Sequence, residues 1–194
     1  MADTLLIQLA PYHRERELIG RMVLAYGEIE VCVMNLLQAT LGGDTNTAVR
    51  ALYRLRSESN RLEVADALIV PKLTPYLRGA WSEAYAAIKR CKQIRNQYAH
   101  GLFINDGGQL RFGDLDEAAQ GKSEKSEIKL RPISLAALER QIGYFEYAMH
   151  QTLWIGDRYR IKTGQLRQIA QRVPKPKKVL PPKLDSHGEE QTHQ

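Results

Sequence analysis

Three polar residues near the middle of the chain have the types and spacing needed to bind an anion and move a proton. Arg95, Asn96 and His100 occur in the sequence Arg-Asn-Gln-Tyr-Ala-His-Gly, which ends at Gly101. A guanidinium keeps its charge and binds anions through paired N–H groups, whereas an imidazole gains and loses protons near neutral pH. On a helix, Asn96 and His100 share one side and Arg95 lies beside them. We therefore predict that Asn96 orients the imidazole and that Arg95 binds a phosphate.

The helix that positions these residues is predicted to start near Gly79. Apolar or small side chains recur along it at the spacing of one buried face, at Trp81, Ala84, Ile88 and Cys91. This face continues into Arg95, whose buried charge would need an anionic partner. We expect Gly101 to end the helix, because glycine adopts the left-handed conformation of a helix C-terminus most readily.

A carboxylate on the first long helix is the predicted partner of Arg95. This helix is predicted from Pro11 to Leu41 by apolar residues at steps of three and four, and Gly42-Gly43 stops it. Glu30 falls on its core-facing side, where an unpaired charge is costly. Two interpretations stay open. Glu30 pairs with Arg95, or it lies at the rim of the core and extends its carboxylate into water.

The motif around Arg95 and His100 resembles that of the HEPN family, in which an Arg is followed after four to six residues by a His at the end of a late helix. HEPN-like sequences also carry a Glu in a place comparable to Glu30, and the resemblance covers about residues 12 to 155. It implies a mainly α-helical antiparallel bundle that forms a homodimer. It also implies a metal-independent ribonuclease in which two motif helices supply two Arg and two His to one composite site.

The residues of the motif match the needs of metal-free RNA cleavage. That reaction needs a base for the 2′-hydroxyl, an acid for the leaving 5′-oxygen, and positive charge at the phosphate. We predict His100 as acid or base and Arg95 as the charge, with Asn96, Tyr98 and Glu30 in supporting roles. The expected products carry 2′,3′-cyclic phosphate ends.

Other functions fit the same residues. The chain is alternatively a non-catalytic HEPN-like module that binds nucleotide, RNA or a protein. It is also consistent with the toxin of a defence or toxin-antitoxin pair, covered by an antitoxin or regulatory protein. Each residue has a structural explanation as well: Arg95 and Glu30 form a buried ion pair, and His100 is a cation at a helix C-terminus.

The basic charge of the chain favours polyanionic partners. The formal net charge is +6, which suits RNA, DNA or anionic lipid without choosing among them. Four arginines cluster near residue 55 and form either a solvated helix face or a track for an RNA backbone: Arg50, Arg54, Arg56 and Arg61. The predicted RNA-binding residues are Arg50, Arg54, Arg56 and Lys92.

The length and composition predict one domain with a tail. The chain has 194 residues, 43% of them hydrophobic, so we place a helical domain at 1–173 and a flexible basic tail at 174–194. The domain contains an insertion at about 101–132, with a β-hairpin that turns at Gly107-Gly108 and a polar loop from Asp116 to Ser126. A last helix follows, capped by Ser134.

Several classes of protein are not indicated by the sequence. Cys32 and Cys91 fall in apolar helical patterns and are predicted to be buried thiols. No spacing predicts a metal site, and no glycine-rich phosphate or dinucleotide loop occurs, so we expect neither metal nor cofactor. We also expect no membrane span, because no run of about eighteen apolar residues occurs, and a cytoplasmic location.

Overall fold

The protein is mainly helical in the computed structural model, which describes residues 7–120, 128–166 and 174–182. About 70% of it is helical, and the described ranges contain six helices and one three-stranded antiparallel sheet. The prediction of a mainly α-helical protein with a small β-hairpin is confirmed. The antiparallel bundle and the domain boundary at residue 173 stay predictions.

Three long helices account for most of the structure, and three short ones connect them. The long helices are α1 (His13–Thr40), α4 (Pro75–Ala99) and α6 (Leu135–Lys162), and the short ones are α2 (Thr45–Tyr53), α3 (Glu58–Ile69) and α5 (Leu115–Gln120). Gly42 and Gly43 have φ of 80° and 94° and end α1 as predicted, since the left-handed conformation is costly for other residues. Ser57 caps α3, and Ser134 caps α6 through the backbone N–H of Ala137.

The helix of the motif, α4, starts earlier than predicted. Pro75 is its first residue, whereas the sequence pattern placed the start near Gly79. Thr74 caps this end, its hydroxyl accepting a hydrogen bond from the Leu77 backbone N–H at 3.4 Å. Proline is tolerated here because the first helical N–H has no partner within the helix.

A short sheet follows α4. Strands β1 (Leu102–Asp106) and β2 (Gln109–Gly113) pair in antiparallel fashion, and β3 (Arg131–Pro132) pairs with β2. Gly107 and Gly108 have φ of 58° and 88°, as a two-residue hairpin turn requires. Most of the polar stretch after β2 was predicted to be a loop. Its beginning forms α5, and residues 121–127 lie outside the described residues.

The chain groups into two compact units. Unit 1 consists of the described residues of Met1–Tyr26, Arg90–Tyr144 and Leu180–Gln194, and unit 2 of Gly27–Lys89 and the described part of Phe145–Val179. Unit 1 contains the sheet and the motif, and its buried side chains include Leu18, Met22, Ile94, Phe112 and Leu138. Unit 2 contains α2 and α3, and its buried side chains include Ile29, Leu36, Ile69, Trp81 and Phe145.

The composition of α1 corrects one expectation of the sequence analysis. By length and composition alone this helix is apolar enough to cross a membrane, whereas the sequence analysis expected no helix with this property. Core helices of soluble proteins have the same composition, and α1 contributes the buried residues Met22, Ile29 and Leu36. The cytoplasmic location stays a prediction.

Candidate functional site

The motif residues occupy the last turns of α4, in unit 1. Ile94 and Tyr98 are buried there, whereas Arg95 and Asn96 are half-buried and His100 is exposed. The backbone N–H of His100 donates to the carbonyl oxygen of Asn96 at 3.0 Å, so helical geometry continues as far as His100. Asn96 and His100 therefore start from the same side of the helix, as predicted.

Arg95 lies over an aromatic ring of its own unit. Its Cζ atom is 4.8 Å from the ring centroid of Tyr26, and Tyr26 is only 3% exposed. The face of an aromatic ring attracts a cation through its quadrupole. Sequence reasoning named a carboxylate, Glu30, as the partner and missed this tyrosine. A tyrosine in the apolar stripe of α1 gave no sign that an arginine would lie over its ring.

Asn96, the residue that follows Arg95 in the sequence, has a buried hydrogen-bond acceptor. Its Oδ1 atom is buried and has no hydrogen-bond partner among the residues that the structure describes. Leaving a buried carbonyl oxygen unbonded costs about 1–3 kcal/mol. A donor from a ligand, or a rotated imidazole N–H, would remove that cost. The role of Asn96 in orienting His100 stays a prediction.

The glycine after His100 is required for a different reason from the predicted one. Gly101 does not have a positive φ, so the expectation of a left-handed helix end is wrong. A Cβ atom at this position would lie 1.9 Å from Cε2 and 2.6 Å from Cζ of Phe112. Phe112 is fully buried in β2, and its rigid ring therefore leaves no room for a side chain at residue 101.

Tyr98 is part of the core that holds the end of α4. Its hydroxyl donates to Oε1 of Gln141 at 2.8 Å, and its ring packs on Phe112 with centroids 5.5 Å apart. Burial raises the pKa of this phenol, which keeps it protonated. Gln141 was missed by sequence reasoning, although a glutamine within the apolar stripe of α6 signals a buried hydrogen bond.

Glu30 has a described partner in unit 2. Arg61 donates through Nη1 to its Oε1 atom at 3.1 Å, with side chains 19% and 23% exposed respectively. The Arg61 guanidinium also lies over the ring of Tyr53, with its Cζ 5.3 Å from the ring centroid. Sequence reasoning had placed Arg61 in an arginine cluster and had not paired it with Glu30. The pair of Glu30 with Arg95 stays a prediction.

The predicted RNA-binding residues belong to different units. Arg50, Arg54 and Arg56 are exposed in unit 2, and Lys92 is half-buried in unit 1. Exposure makes the arginines accessible to a polyanion, but it is equally typical of a solvated helix face. Their role in RNA binding stays a prediction.

The described residues contain neither a metal-binding cluster nor a reactive thiol. Across residues 7–120, 128–166 and 174–182, no group of three or more His, Cys, Asp or Glu side chains has the geometry to hold a metal ion. Cys32 and Cys91 are buried, and burial raises the pKa of the Cys32 thiol to about 11. A thiol of that kind is a poor nucleophile at neutral pH.

Comparisons with known proteins give no match. No protein-family model, curated protein or solved structure matches the chain. The resemblance to the HEPN family therefore rests on Arg95, Asn96 and His100, with Glu30 as a further residue.

Proposed function

We propose that the protein is a metal-independent endoribonuclease in which Arg95 and His100 are the catalytic residues. One observation carries the proposal. Within six residues, the end of α4 presents a half-buried guanidinium over Tyr26, a buried acceptor on Asn96 and an exposed imidazole. These groups match the needs of phosphate binding and proton transfer. The biological setting that the family resemblance suggests is defence or a toxin-antitoxin pair.

The proposed reaction is a transfer of the phosphate from the 5′-oxygen to the 2′-oxygen of the ribose. A neutral imidazole removes the 2′-hydroxyl proton, and the oxygen attacks the adjacent phosphorus. The P–O5′ bond breaks, and an imidazolium gives its proton to the leaving 5′-oxygen. Arg95 stabilises the extra negative charge on the phosphate oxygens. The products are a 2′,3′-cyclic phosphate and a free 5′-hydroxyl.

A homodimer would supply the second imidazole. The motif of one chain contains one histidine, His100, and the reaction uses one base and one acid. A two-fold axis that brings two copies of α4 together would provide two His100 and two Arg95 side chains. Each step of general acid or base catalysis typically contributes a factor of about 10²–10⁴, so loss of both imidazoles should remove nearly all activity.

The test is cleavage of a labelled single-stranded RNA in the presence of EDTA, with analysis of the product ends. Wild type and the control His150→Ala, which removes an exposed histidine of α6, should give cyclic phosphate ends. His100→Ala should lose at least about 100-fold in rate. If His100→Ala cleaves as fast as wild type in nuclease-free preparations, the proposal is wrong.

A second candidate function is a non-catalytic module that binds RNA or nucleotides. The contact of Arg95 with Tyr26 favours it, because an arginine fixed over a buried ring serves binding or stability without any reaction. This function predicts RNA binding that weakens with salt and shows no turnover. In that case His100→Ala leaves the affinity within about threefold of wild type, whereas Arg95→Ala lowers it.

A further inference from the structure

The first basic residues of the predicted tail make defined contacts in unit 2. Lys175 places its Nζ atom 3.7 Å from Oε2 of Glu83, and Lys178 places its Nζ atom 3.8 Å from Oε1 of the same carboxylate. The Lys175 ammonium also lies over the Trp154 ring, 5.8 Å from its centroid. One carboxylate thus receives two lysines from the segment 174–179, which the sequence analysis had assigned to a flexible tail.

Glu83 and Trp154 contact the segment, and Tyr76 packs on Trp154; we call these three residues the cradle. Tyr76 packs edge-on against Trp154, with centroids 6.0 Å apart. Trp154 is only 3% exposed, and its indole N–H finds no acceptor in the described part of the chain. Residues 174–179 do not supply this acceptor in the structure, so the ring of Trp154 and the carboxylate of Glu83 make the described contacts with the segment.

The charge on Glu83 makes the cradle selective for a basic ligand. Trp154 already has one cation beside it, because Cζ of Arg158 lies 5.7 Å from its ring centroid. The ring contact with Lys175 therefore adds to the attraction, but it does not determine whether the ligand is positively charged. Glu83 decides it, since the carboxylate lies within 4 Å of both lysines.

The segment itself has the chemistry of an extended peptide ligand. Its sequence is Pro-Lys-Pro-Lys-Lys-Val, in which two prolines fix φ and restrict Lys175 to extended backbone. Such segments lose little conformational entropy on binding and commonly dock on aromatic residues. The ion pairs are partly exposed, with the Glu83 side chain 37% exposed, so the attraction is weakened by salt.

We propose that the cradle is a reversible binding site for extended peptides that contain lysine and proline, and that residues 174–179 of this chain are its ligand. Glu83 attracts both lysines, the Trp154 face contacts the first of them, and the prolines keep the backbone extended. The 174–179 segment therefore leaves and rebinds, and an equivalent peptide competes with it.

Limited trypsin digestion of the full-length protein measures whether the segment is held. Trypsin cuts after Lys177 and Lys178 but not between Lys175 and Pro176. Cleavage should be at least about fivefold faster in Glu83→Gln than in wild type, and salt should accelerate it in wild type but not in Glu83→Gln. The control Glu63→Gln, which alters an exposed acid of α3, should leave the rate unchanged. Equal rates in wild type and Glu83→Gln would overturn the proposal.

Binding in trans tests the site independently of proteolysis. The probe is a labelled peptide with the sequence of residues 174–182, titrated into the full-length variant Lys175→Gln/Lys178→Gln, which empties the cradle without removing the segment. The peptide should bind this variant at least about tenfold more tightly than wild type. Adding Glu83→Gln should remove the difference. Equal affinity for wild type and the lysine variant, or affinity that does not depend on Glu83, refutes the site.

Discussion

Arg61 and Arg95 are both half-buried and both lie over a tyrosine ring, but different forces act on them. Arg61 lies over the exposed ring of Tyr53, 46% exposed, and donates to the Glu30 carboxylate at 3.1 Å. Arg95 lies over Tyr26, a ring of the core. A carboxylate supplies a full opposite charge, whereas a ring face supplies only a quadrupole and leaves the in-plane N–H directions unused by that contact.

We therefore expect Arg61 to have a structural role and Arg95 a functional one. Ion pairing explains Arg61 through a carboxylate of its own chain. The ring contact is one described interaction of Arg95, and the proposed phosphate contact is the role that we expect its permanent charge to have.

The largest expected effect is on RNA cleavage. Arg95→Ala should reduce the rate by about 100-fold or more, because it removes charge from the transition state. Arg61→Ala should change the rate by less than about threefold. Both cleavage rates are measured in EDTA, and circular dichroism checks that the variants are folded. Equal losses of rate in the two variants would show that the two arginines do not differ in their roles.

The second effect is on the stability of the helix end that carries Arg95. Gly101→Ala places a Cβ atom 1.9 Å from the ring of Phe112, and we expect a loss of about 3 kcal/mol in the free energy of unfolding, the upper end of the usual cost of overpacking. Urea denaturation measures it.

Two further variants sharpen that measurement. Gly79→Ala, in a part of α4 where a Cβ atom meets nothing within 4 Å, should stabilise the protein by about 0.5–1 kcal/mol. Phe112→Leu should recover part of the loss when combined with Gly101→Ala. A Gly101→Ala protein as stable as wild type would contradict the close approach.

The third effect identifies the partner of Glu30. A double-mutant cycle with Glu30→Gln and Arg61→Ala should give a coupling free energy of about 1 kcal/mol, typical of a partly exposed ion pair. The same cycle with Arg95→Ala is the matched comparison. A larger coupling to Arg95 than to Arg61 would support the pair that the sequence predicted and would remove the distinction between the two arginines.

The smallest effect concerns Tyr98 and depends on pH. Tyr98→Phe removes the donor to the buried Oε1 of Gln141 and should cost about 1 kcal/mol at neutral pH, the lower end of the range for a buried acceptor left unbonded. Because burial raises the pKa of Tyr98 above the value of about 10 that is usual for a tyrosine, the folded phenol keeps its proton after the unfolded one has lost it. Wild-type stability therefore falls as the pH rises above that value.

The variant lacks this titration, so the difference in stability between Tyr98→Phe and wild type should shrink above pH 10. Urea denaturation at neutral pH and above pH 10 tests this. A constant difference would mean that Tyr98 is accessible to water and does not belong to the core.

The helices were predictable because their signals are local. Apolar spacing of three and four residues located α1, and Ser134 marked the start of α6. The paired glycines at 107 and 108 likewise marked the turn of the hairpin. Each signal depends on a few neighbouring residues, so no knowledge of the fold was needed.

The partners of the charged residues were not predictable in the same way. Several arginines had the right chemistry for Glu30, and helical periodicity does not say which one comes close. The contact of Lys175 with Glu83 joins residues that are distant in the chain, and composition alone predicted a flexible tail. Gly101 was correctly singled out by the sequence analysis. The reason why glycine is needed there is the ring of Phe112, which lies on a later strand.

The fit of Gly101 against Phe112 also sets the direction in which His100 points. Tyr98 is anchored through Gln141 and Gly101 through Phe112, so the chain between them is held at both ends. One inserted residue there would rotate the imidazole by about 100° around the helix axis while the buried anchors remained in place. The number of residues between Tyr98 and Gly101 therefore fixes the direction of the His100 side chain. A substitution between the two anchors would keep this direction, whereas an insertion or a deletion would change it.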